Sequence, residues 1–82
     1  MYTLYVLECA DGTLYTGITT DAQRRVAEHN SSRRGARYTR SRRPVVLVHS
    51  QSFATRSDAL VAEAALRKLS RSKKLARIRL VS

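Results

Sequence analysis

Hydrophobic and polar positions alternate most clearly at the start of the chain, where two short apolar segments flank an Asp-Gly pair. Residues 2–9 and 13–17 are both rich in β-branched and aromatic side chains, which favour strands. Asp11-Gly12 between two such segments is a strong signal for a β-hairpin. The pattern therefore predicts that the chain begins with two antiparallel strands.

The length of the hairpin loop decides which side chains share a face of the predicted sheet, because directly paired residues lie on one face. A two-residue loop, Asp11-Gly12, would place Tyr5 and Tyr15 on opposite faces. A three-residue loop that begins at Ala10, with Gly12 left-handed, would pair Tyr5 with Gly17 and place both tyrosines together. We predict the three-residue loop, a common type that ends in a glycine bulge. Two tyrosines that only pack at the edge of the core are the simpler interpretation of the hairpin alone.

A short helix is predicted next, from about residue 21 to residue 30, with Thr20 in the position of a capping-box residue. At 100° per residue, Arg25 and His29 flank its apolar stripe on one side, whereas Glu28 points away. Inward polar groups are costly unless they have partners. A snorkelling arginine and a satisfied histidine at the core edge explain each residue separately. The two together on one face suggest a site.

Three more elements follow. Residues 45–49 are apolar on both faces and predict a well-covered third strand, in which His49 is expected to be structural. A helix from about residue 56 to residue 69 has Thr55 as its N-cap. Glu63 lies at the margin of its buried face, where a surface pair with Arg67 is the simpler interpretation. A last short helix begins near Ser72. The buried face of the second helix comprises Ala59, Ala62, Leu66 and Leu69.

These elements predict one α/β (α+β) domain over residues 1–82. We expect a small three-stranded antiparallel sheet flanked by three helices, in the order ββαβαα. Eighty-two residues suffice for one modest core.

The charge of the chain indicates the partner. Sixteen lysines and arginines against six acids give a formal charge of +10 and a pI near 11.1. Such a charge usually serves a polyanion, so nucleic acid is the expected partner. An anionic membrane surface is the second possibility. We expect no membrane partner, because no apolar run approaches the ~20 residues of a span and no helix combines a broad apolar face with a basic one. The expected nucleic-acid contacts, for which a solvated basic loop is the alternative, are Arg33, Arg34, Arg37, Tyr38, Arg40, Arg42, Arg43, Lys73 and Lys74.

The numbers of cysteines and acidic residues indicate the cellular compartment and restrict the kinds of metal site that the chain can form. Cys9 is the lone cysteine, which excludes an internal disulfide and a Cys/His metal site of the zinc type. With no recognisable signal peptide, we expect a cytoplasmic protein in which Cys9 is a small buried residue. Six acids make a carboxylate-rich two-metal site hard to build, whereas one Mg²⁺ held by a single carboxylate and waters fits this inventory.

The tyrosines resemble the two signature tripeptides of the GIY-YIG nucleases. They lie ten residues apart, in Thr3-Leu4-Tyr5 and in Tyr15-Thr16-Gly17. The first motif has Thr-Leu in place of Gly-Ile. Ile18 stands where many relatives have a lysine, and no asparagine follows Asn30, although several relatives use a late one.

The spacing of the other polar residues strengthens the resemblance. Arg25 follows Tyr15 by ten residues, His29 comes four later, and Glu63 lies in the downstream helix. The segment from Gly35 to Thr39, together with the residues around Pro44, is similar to the small single-domain bacterial members. The resemblance spans nearly the whole chain.

The resemblance implies that the chain hydrolyses DNA phosphodiester bonds with one divalent metal ion, Mg²⁺ or Mn²⁺. Glu63 would hold the metal, which polarises the phosphate and stabilises the leaving oxygen. Arg25 would bind the scissile phosphate and offset the charge that develops there. We expect a monomer or weak dimer that selects the structure or strandedness of DNA and acts in DNA processing or repair.

The resemblance also implies roles for the residues that would act on the attacking water and position the phosphate. Tyr5, whose phenolate is favoured by nearby cations, would deprotonate the water or pass a proton on. Tyr15 would hydrogen-bond the water or the phosphate, and His29 would orient the phosphate or shuttle a proton. Gly17 would leave room for close approach. The alternative function is a basic module that binds DNA or RNA without chemistry.

Overall fold

The computed structural model describes residues 1–31, 39 and 41–81 of the chain. Its strands form one antiparallel sheet in the order β2-β1-β3, which places β1 in the middle. The observed order ββαβαα confirms the predicted α+β fold. The elements are β1 (Tyr2–Glu8), β2 (Leu14–Thr19), α1 (Ala22–Ser31), β3 (Val46–Phe53), α2 (Arg56–Arg67) and α3 (Arg71–Val81).

The hairpin has the predicted three-residue loop. The Cys9 amide donates to the Thr13 carbonyl at 2.8 Å, and the Gly12 amide donates to the Cys9 carbonyl at 2.9 Å. Gly12 has a φ of 83°, a left-handed conformation that glycine adopts at little cost. This loop sets the register in which Tyr5 pairs with Gly17.

One face of the sheet is apolar and is covered by α2 and α3. Leu4 and Val6 of β1 pack there against Leu66 of α2 and Ile78 of α3. The Thr55 hydroxyl caps α2 by accepting from the Asp58 amide at 3.1 Å, as predicted. Ala59 and Leu66 are buried, as expected, and Ala62 and Leu69 pack against this core.

The other face is covered by α1, which contacts β1 and β3. Leu7, Cys9 and Val45 are buried there, which confirms the expected burial of Cys9. The observed cap of α1 differs from the prediction: the Arg24 amide donates to the side chain of Asp21, rather than Thr20 serving as the cap.

The prediction that the third strand is well covered is wrong. Val46 is 60% exposed, and Leu47 and Val48 are also exposed. The physical reason is the strand order, which places β3 at an edge of the sheet. The strand also continues to Phe53, beyond the predicted end at His49.

Within the part of the chain that the structure describes, no helix combines the length and the apolar character that crossing a membrane requires.

Candidate active site

The two tyrosines lie together on the α1 face, as the hairpin register requires. Their ring centroids are 6.4 Å apart. The Tyr5 ring extends over β2 at Gly17, where an added Cβ would lie 2.5 Å from the Tyr5 hydroxyl. Glycine is therefore needed at position 17 for Tyr5 to place its hydroxyl over β2. Tyr5 is 1% exposed, whereas Tyr15 is only half-buried.

Helix α1 brings His29 to the tyrosines. His29 has no exposed surface, and its Nε2 atom lies 3.0 Å from the Tyr5 hydroxyl oxygen. The Tyr15 and His29 rings pack edge-to-face with centroids 5.2 Å apart. The histidine is thus in contact with both phenols.

Arg25 lies one turn before His29 and also faces the site. It donates a hydrogen bond to Tyr5, and its Nη1 atom lies 3.1 Å from Glu28 Oε1. The expectation that Glu28 points away from this face is wrong, because Arg25 draws the carboxylate to itself across one turn of α1. Arg25 remains partly exposed, so its guanidinium can meet a phosphate from solvent.

Burial has the largest effect on the pKa values of Tyr5 and His29. It raises the pKa of Tyr5 above the ordinary value of 10, although the hydrogen bond from Arg25 acts in the other direction. The expectation that nearby cations favour the phenolate is therefore wrong for this structure: loss of solvent outweighs them. Burial, followed by the charges of Arg25 and Arg43, lowers the pKa of His29 to about 4. At neutral pH both groups are uncharged.

Glu63 lies on α2, on the opposite face of the sheet from α1. Its side chain is 15% exposed, and its Oε2 atom lies 3.7 Å from Arg67 Nη2. Arg67 Nη2 also donates to the Thr16 carbonyl of β2 at 3.2 Å, so this part of α2 lies along the β2 edge. The charge of Glu63 contributes to the raised pKa of Tyr5. The predicted surface pair with Arg67 exists, but the carboxylate also acts on the phenol.

A single divalent ion fits these donors. Among the described residues, no cluster of three or more His, Cys, Asp or Glu side chains is suited to a metal. Glu63 is a partly enclosed carboxylate close enough to Tyr5 to influence its pKa. Mg²⁺ commonly uses one or two carboxylates and completes its shell with water and substrate phosphate. The residues present therefore fit one such ion at Glu63.

Two residues that the sequence did not single out complete the site. Thr39 is fully buried, and its Oγ1 atom lies 2.7 Å from His29 Nδ1. Asn30 holds the start of the third strand: its side chain accepts from the Val45 amide at 2.7 Å and donates to the Val45 carbonyl at 3.0 Å. The side-chain amide of Asn30 thus makes both backbone hydrogen bonds of Val45 that a neighbouring strand would otherwise make. Both residues lack the charge or aromatic character that marks a candidate in sequence.

The predicted nucleic-acid contacts are only partly placed. Arg33, Arg34, Arg37, Tyr38 and Arg40 lie outside the described residues. Arg42 Nε pairs with Asp11 Oδ2 at 2.9 Å, and Arg43 Nε donates to the His29 carbonyl. Lys73 is exposed and Lys74 half-buried on α3, across the sheet from α1.

His49 is separate from this site. It is buried at β3 on the α2 and α3 face, where burial lowers its pKa. It pairs with Val6, whose neighbour Tyr5 faces the other way.

The family of the chain follows from its match to a known domain. Residues 1–76 match the model of the GIY-YIG catalytic domain. The chain therefore belongs to the GIY-YIG family, a family of endonucleases that act on nucleic acid. This confirms the resemblance of the tyrosine motifs.

Within the family, the similar proteins are small UPF0213 proteins. The UPF0213 protein DP2720 of Desulfotalea psychrophila is 58% identical over 71 residues, which are 87% of this chain and 64% of that protein. The UPF0213 protein VNG_2274C of Halobacterium salinarum is 55% identical over 74 residues, 90% of this chain and 95% of that protein. The chain thus spans slightly less than two thirds of the first relative and nearly all of the second.

Solved structures of relatives have the same fold. The solution NMR structure of the UPF0213 protein BH0048 of Bacillus halodurans has a TM-score of 0.63 and 43% identity, and covers 98% of this chain and 85% of that one. The solution NMR structure of EF2693 of E. faecalis has a TM-score of 0.61 and 49% identity, over 92% of this chain and 80% of that one.

Proposed function

We propose that this protein is a metal-dependent DNA endonuclease that hydrolyses phosphodiester bonds. The observation that carries the proposal is the arrangement of one guanidinium, two phenols and one imidazole on the same face of the sheet, with the charge of Glu63 acting on Tyr5 from the β2 edge. These groups come from three regions of the chain, and a purely structural role does not require them together.

The partly exposed residues Arg25 and Tyr15 act on the phosphate and the water, whereas the buried residues Tyr5 and His29 move the proton. Arg25 binds the scissile phosphate and stabilises the charge that develops on it. Tyr15, which is half-buried, hydrogen-bonds the attacking water or the phosphate and fixes its position. When bound at Glu63, Mg²⁺ or Mn²⁺ polarises the phosphate and stabilises the leaving oxygen.

Water activation belongs to the enclosed pair of Tyr5 and His29. Because burial keeps Tyr5 protonated, its oxygen accepts a proton from the water only as its own proton moves to His29 Nε2, 3.0 Å away. The water oxygen then forms the new bond to phosphorus as the phosphorus–oxygen bond to the leaving group breaks. His29 is neutral, so its Nε2 atom can accept this proton, but burial lowers its pKa to about 4 and makes it a weak base. The negative charge of the bound phosphate must therefore stabilise the imidazolium that forms.

The burial of Tyr5 also bears on the substrate. Tyr5 is only 1% exposed, so we propose that the phosphate must approach it closely, which the flexible backbone of single-stranded or distorted DNA allows better than that of a regular duplex. A domain of this size offers little surface for base readout, so we propose that it selects DNA by structure or strandedness. We propose a monomer that cuts one strand at a time in DNA processing or repair.

A free, buried Cys9 suits a reducing compartment, and we propose that the protein acts in the cytoplasm.

The test is cleavage of labelled single-stranded, duplex, flap and four-way DNA with Mg²⁺ or Mn²⁺. We expect the wild type to cut at least one of them, and Arg25→Ala and Glu63→Gln to lose about 10²-fold or more of the rate. The matched controls are Arg24→Ala, an exposed neighbour on α1, and Glu8→Gln, an acid paired with Arg71. Binding without cleavage by the wild type under every condition would favour a non-catalytic nucleic-acid-binding module.

A further inference from the structure

We propose that Thr39 is a positioning residue whose hydroxyl accepts the Nδ1 proton of His29 and so supports the tautomer, set by Tyr5, in which Nε2 is the acceptor for the phenol proton. The catalytic consequence rests on the proposed function. The tautomer itself is a property of the folded chain and is measured without substrate.

The geometry is a continuous line of three enclosed groups. Tyr5 Oη lies 3.0 Å from His29 Nε2, and His29 Nδ1 lies 2.7 Å from Thr39 Oγ1. None of the three side chains has more than 1% of its surface exposed. Solvent therefore does not replace a lost partner at the fully buried end of this line, between His29 Nδ1 and Thr39 Oγ1, and the protein must supply that hydrogen bond.

The direction of the hydrogen bonds follows from counting protons. Tyr5 is neutral, so its hydroxyl has one proton to donate. Arg25 contacts the same oxygen, but a guanidinium only donates. His29 Nε2 is thus the acceptor for the phenol proton. Neutral His29 carries one ring proton, which must then lie on Nδ1 and point to Thr39 Oγ1.

Thr39 is fixed relative to Tyr5 through the hairpin. The Arg42 amide donates to the Thr39 carbonyl at 3.0 Å, and the Arg42 carbonyl accepts from the Ala10 amide at 2.9 Å. The Arg42 side chain pairs with Asp11 in the same turn. The turn that sets the register of Tyr5 therefore also anchors the segment that carries Thr39.

The tautomer decides whether the proton can move. With the proton on Nδ1, the Tyr5 O–H bond breaks and an Nε2–H bond forms, and Thr39 Oγ1 keeps accepting from Nδ1 of the resulting imidazolium. With the proton on Nε2, that nitrogen would donate to Tyr5 and would have no lone pair for the transfer. Thr39 thus acts on the reaction through His29 and does not need to contact substrate.

The direct test is the ¹⁵N NMR spectrum of the His29 ring in the full-length protein at neutral pH. We expect Nδ1 to have the shift of a protonated, pyrrole-type nitrogen and Nε2 that of an unprotonated, pyridine-type nitrogen. The opposite assignment in the wild type would overturn the proposal, whether or not the protein cleaves DNA. Absence of cleavage with the expected spectrum would instead count against the proposed function alone.

Two substitutions separate positioning from packing. Thr39→Ser keeps the hydroxyl, so we expect the wild-type spectrum and nearly wild-type cleavage. Thr39→Val keeps the shape and removes the hydroxyl. Because valine offers no acceptor, a proton on Nδ1 would be buried without a partner, so we expect the tautomer to shift away from Nδ1–H and cleavage to fall by about tenfold or more. An unchanged His29 spectrum in a folded Thr39→Val protein would overturn the proposal, and if that variant does not fold, the wild-type spectrum decides.

Discussion

The two faces of the sheet use burial in opposite ways. On the α2 and α3 face, Leu4, Val6 and Leu66 pack as an ordinary apolar core. On the α1 face, the most enclosed side chains include Tyr5, His29 and Thr39, all polar. Apolar burial stabilises a fold directly, whereas buried polar groups only offset their lost hydration when they are hydrogen-bonded. The first face holds the domain together, and the second holds a polar constellation in place.

Two buried threonines show the same difference at the scale of one residue. Thr39 on the α1 face has His29 as a partner. Thr16 is 3% exposed on the α2 and α3 side, and within the described residues its Oγ1 atom is buried without a hydrogen-bond partner. The Thr39 hydroxyl is hydrogen-bonded to His29, whereas the Thr16 hydroxyl loses its hydration on folding without a bond that compensates for it.

The largest expected change in stability comes from the apolar face. Leu66→Ala should lower the free energy of unfolding by about 2–5 kcal/mol, because it opens a cavity between α2 and the sheet. Urea unfolding measures this loss, and cleavage per folded molecule should stay near wild type. Leu60→Ala, an exposed leucine of the same helix, is the matched control and should change stability little. Equal effects of the two substitutions would contradict the assignment of the core.

Lowering the pH should reduce the free energy of unfolding by a similar amount, through His29 on the polar face. His29 has its pKa lowered to about 4 by burial, so between pH 6.5 and 4 the unfolded chain binds a proton that the folded chain does not. Stability is therefore fully present above pH 6.5 and falls as the pH drops toward 4, by about 3 kcal/mol for this group. NMR titration of the His29 ring and urea unfolding at several pH values measure it. A His29 midpoint near 6.5 would contradict an enclosed, neutral imidazole.

Gly17→Ala should disturb the site at a smaller cost in stability. The new methyl group would lie 2.5 Å from the Tyr5 hydroxyl, so the phenol must move away. We expect a loss of about 1–3 kcal/mol, measured by urea unfolding, and a drop in cleavage. The cost should be only partly relieved in a Tyr5→Phe background, because the hydroxyl is then gone but the ring carbon Cζ remains 2.7 Å from the new methyl group. Identical costs in both backgrounds would show that the phenol oxygen contributes nothing to the clash at position 17.

The smallest change is expected from Thr16→Val. Removing an unpartnered buried hydroxyl at nearly constant shape should leave stability unchanged or raise it by up to about 1 kcal/mol, whereas Thr39→Val should lower it by about 1–3 kcal/mol. Thermal or urea unfolding of the two variants side by side gives the comparison. A loss at position 16 as large as that at position 39 would show that the Thr16 hydroxyl is bonded in solution.

Local chemistry was sufficient to predict the hairpin and the cap of α2. Asp11-Gly12 and the preference for a glycine bulge set the register that brings Tyr5 and Tyr15 together, and Thr55 three residues before Asp58 marked the start of α2. These features depend on neighbours in the chain, which the sequence displays directly.

Features that depend on the tertiary arrangement were not predicted. An apolar run such as residues 46–48 does not show whether its strand lies in the middle or at the edge of a sheet. Counting cations around Tyr5 gave the wrong direction for its pKa, because burial is set by the packing of α1. Thr39 was missed because its role depends on His29, ten residues earlier, and its own side chain has no distinguishing chemistry.

The central proposal is that a metal ion held by Glu63 lies close to the phenols although α2 and α1 lie on opposite faces of the sheet. Broadening of NMR signals by Mn²⁺, added to the full-length protein, measures this directly because it affects nuclei near the ion. We predict broadening of Tyr15, Tyr5 and α2 signals around Glu63, its loss in Glu63→Gln, and its persistence in Glu8→Gln. Broadening that spares the tyrosine rings, or that survives Glu63→Gln unchanged, would contradict the account.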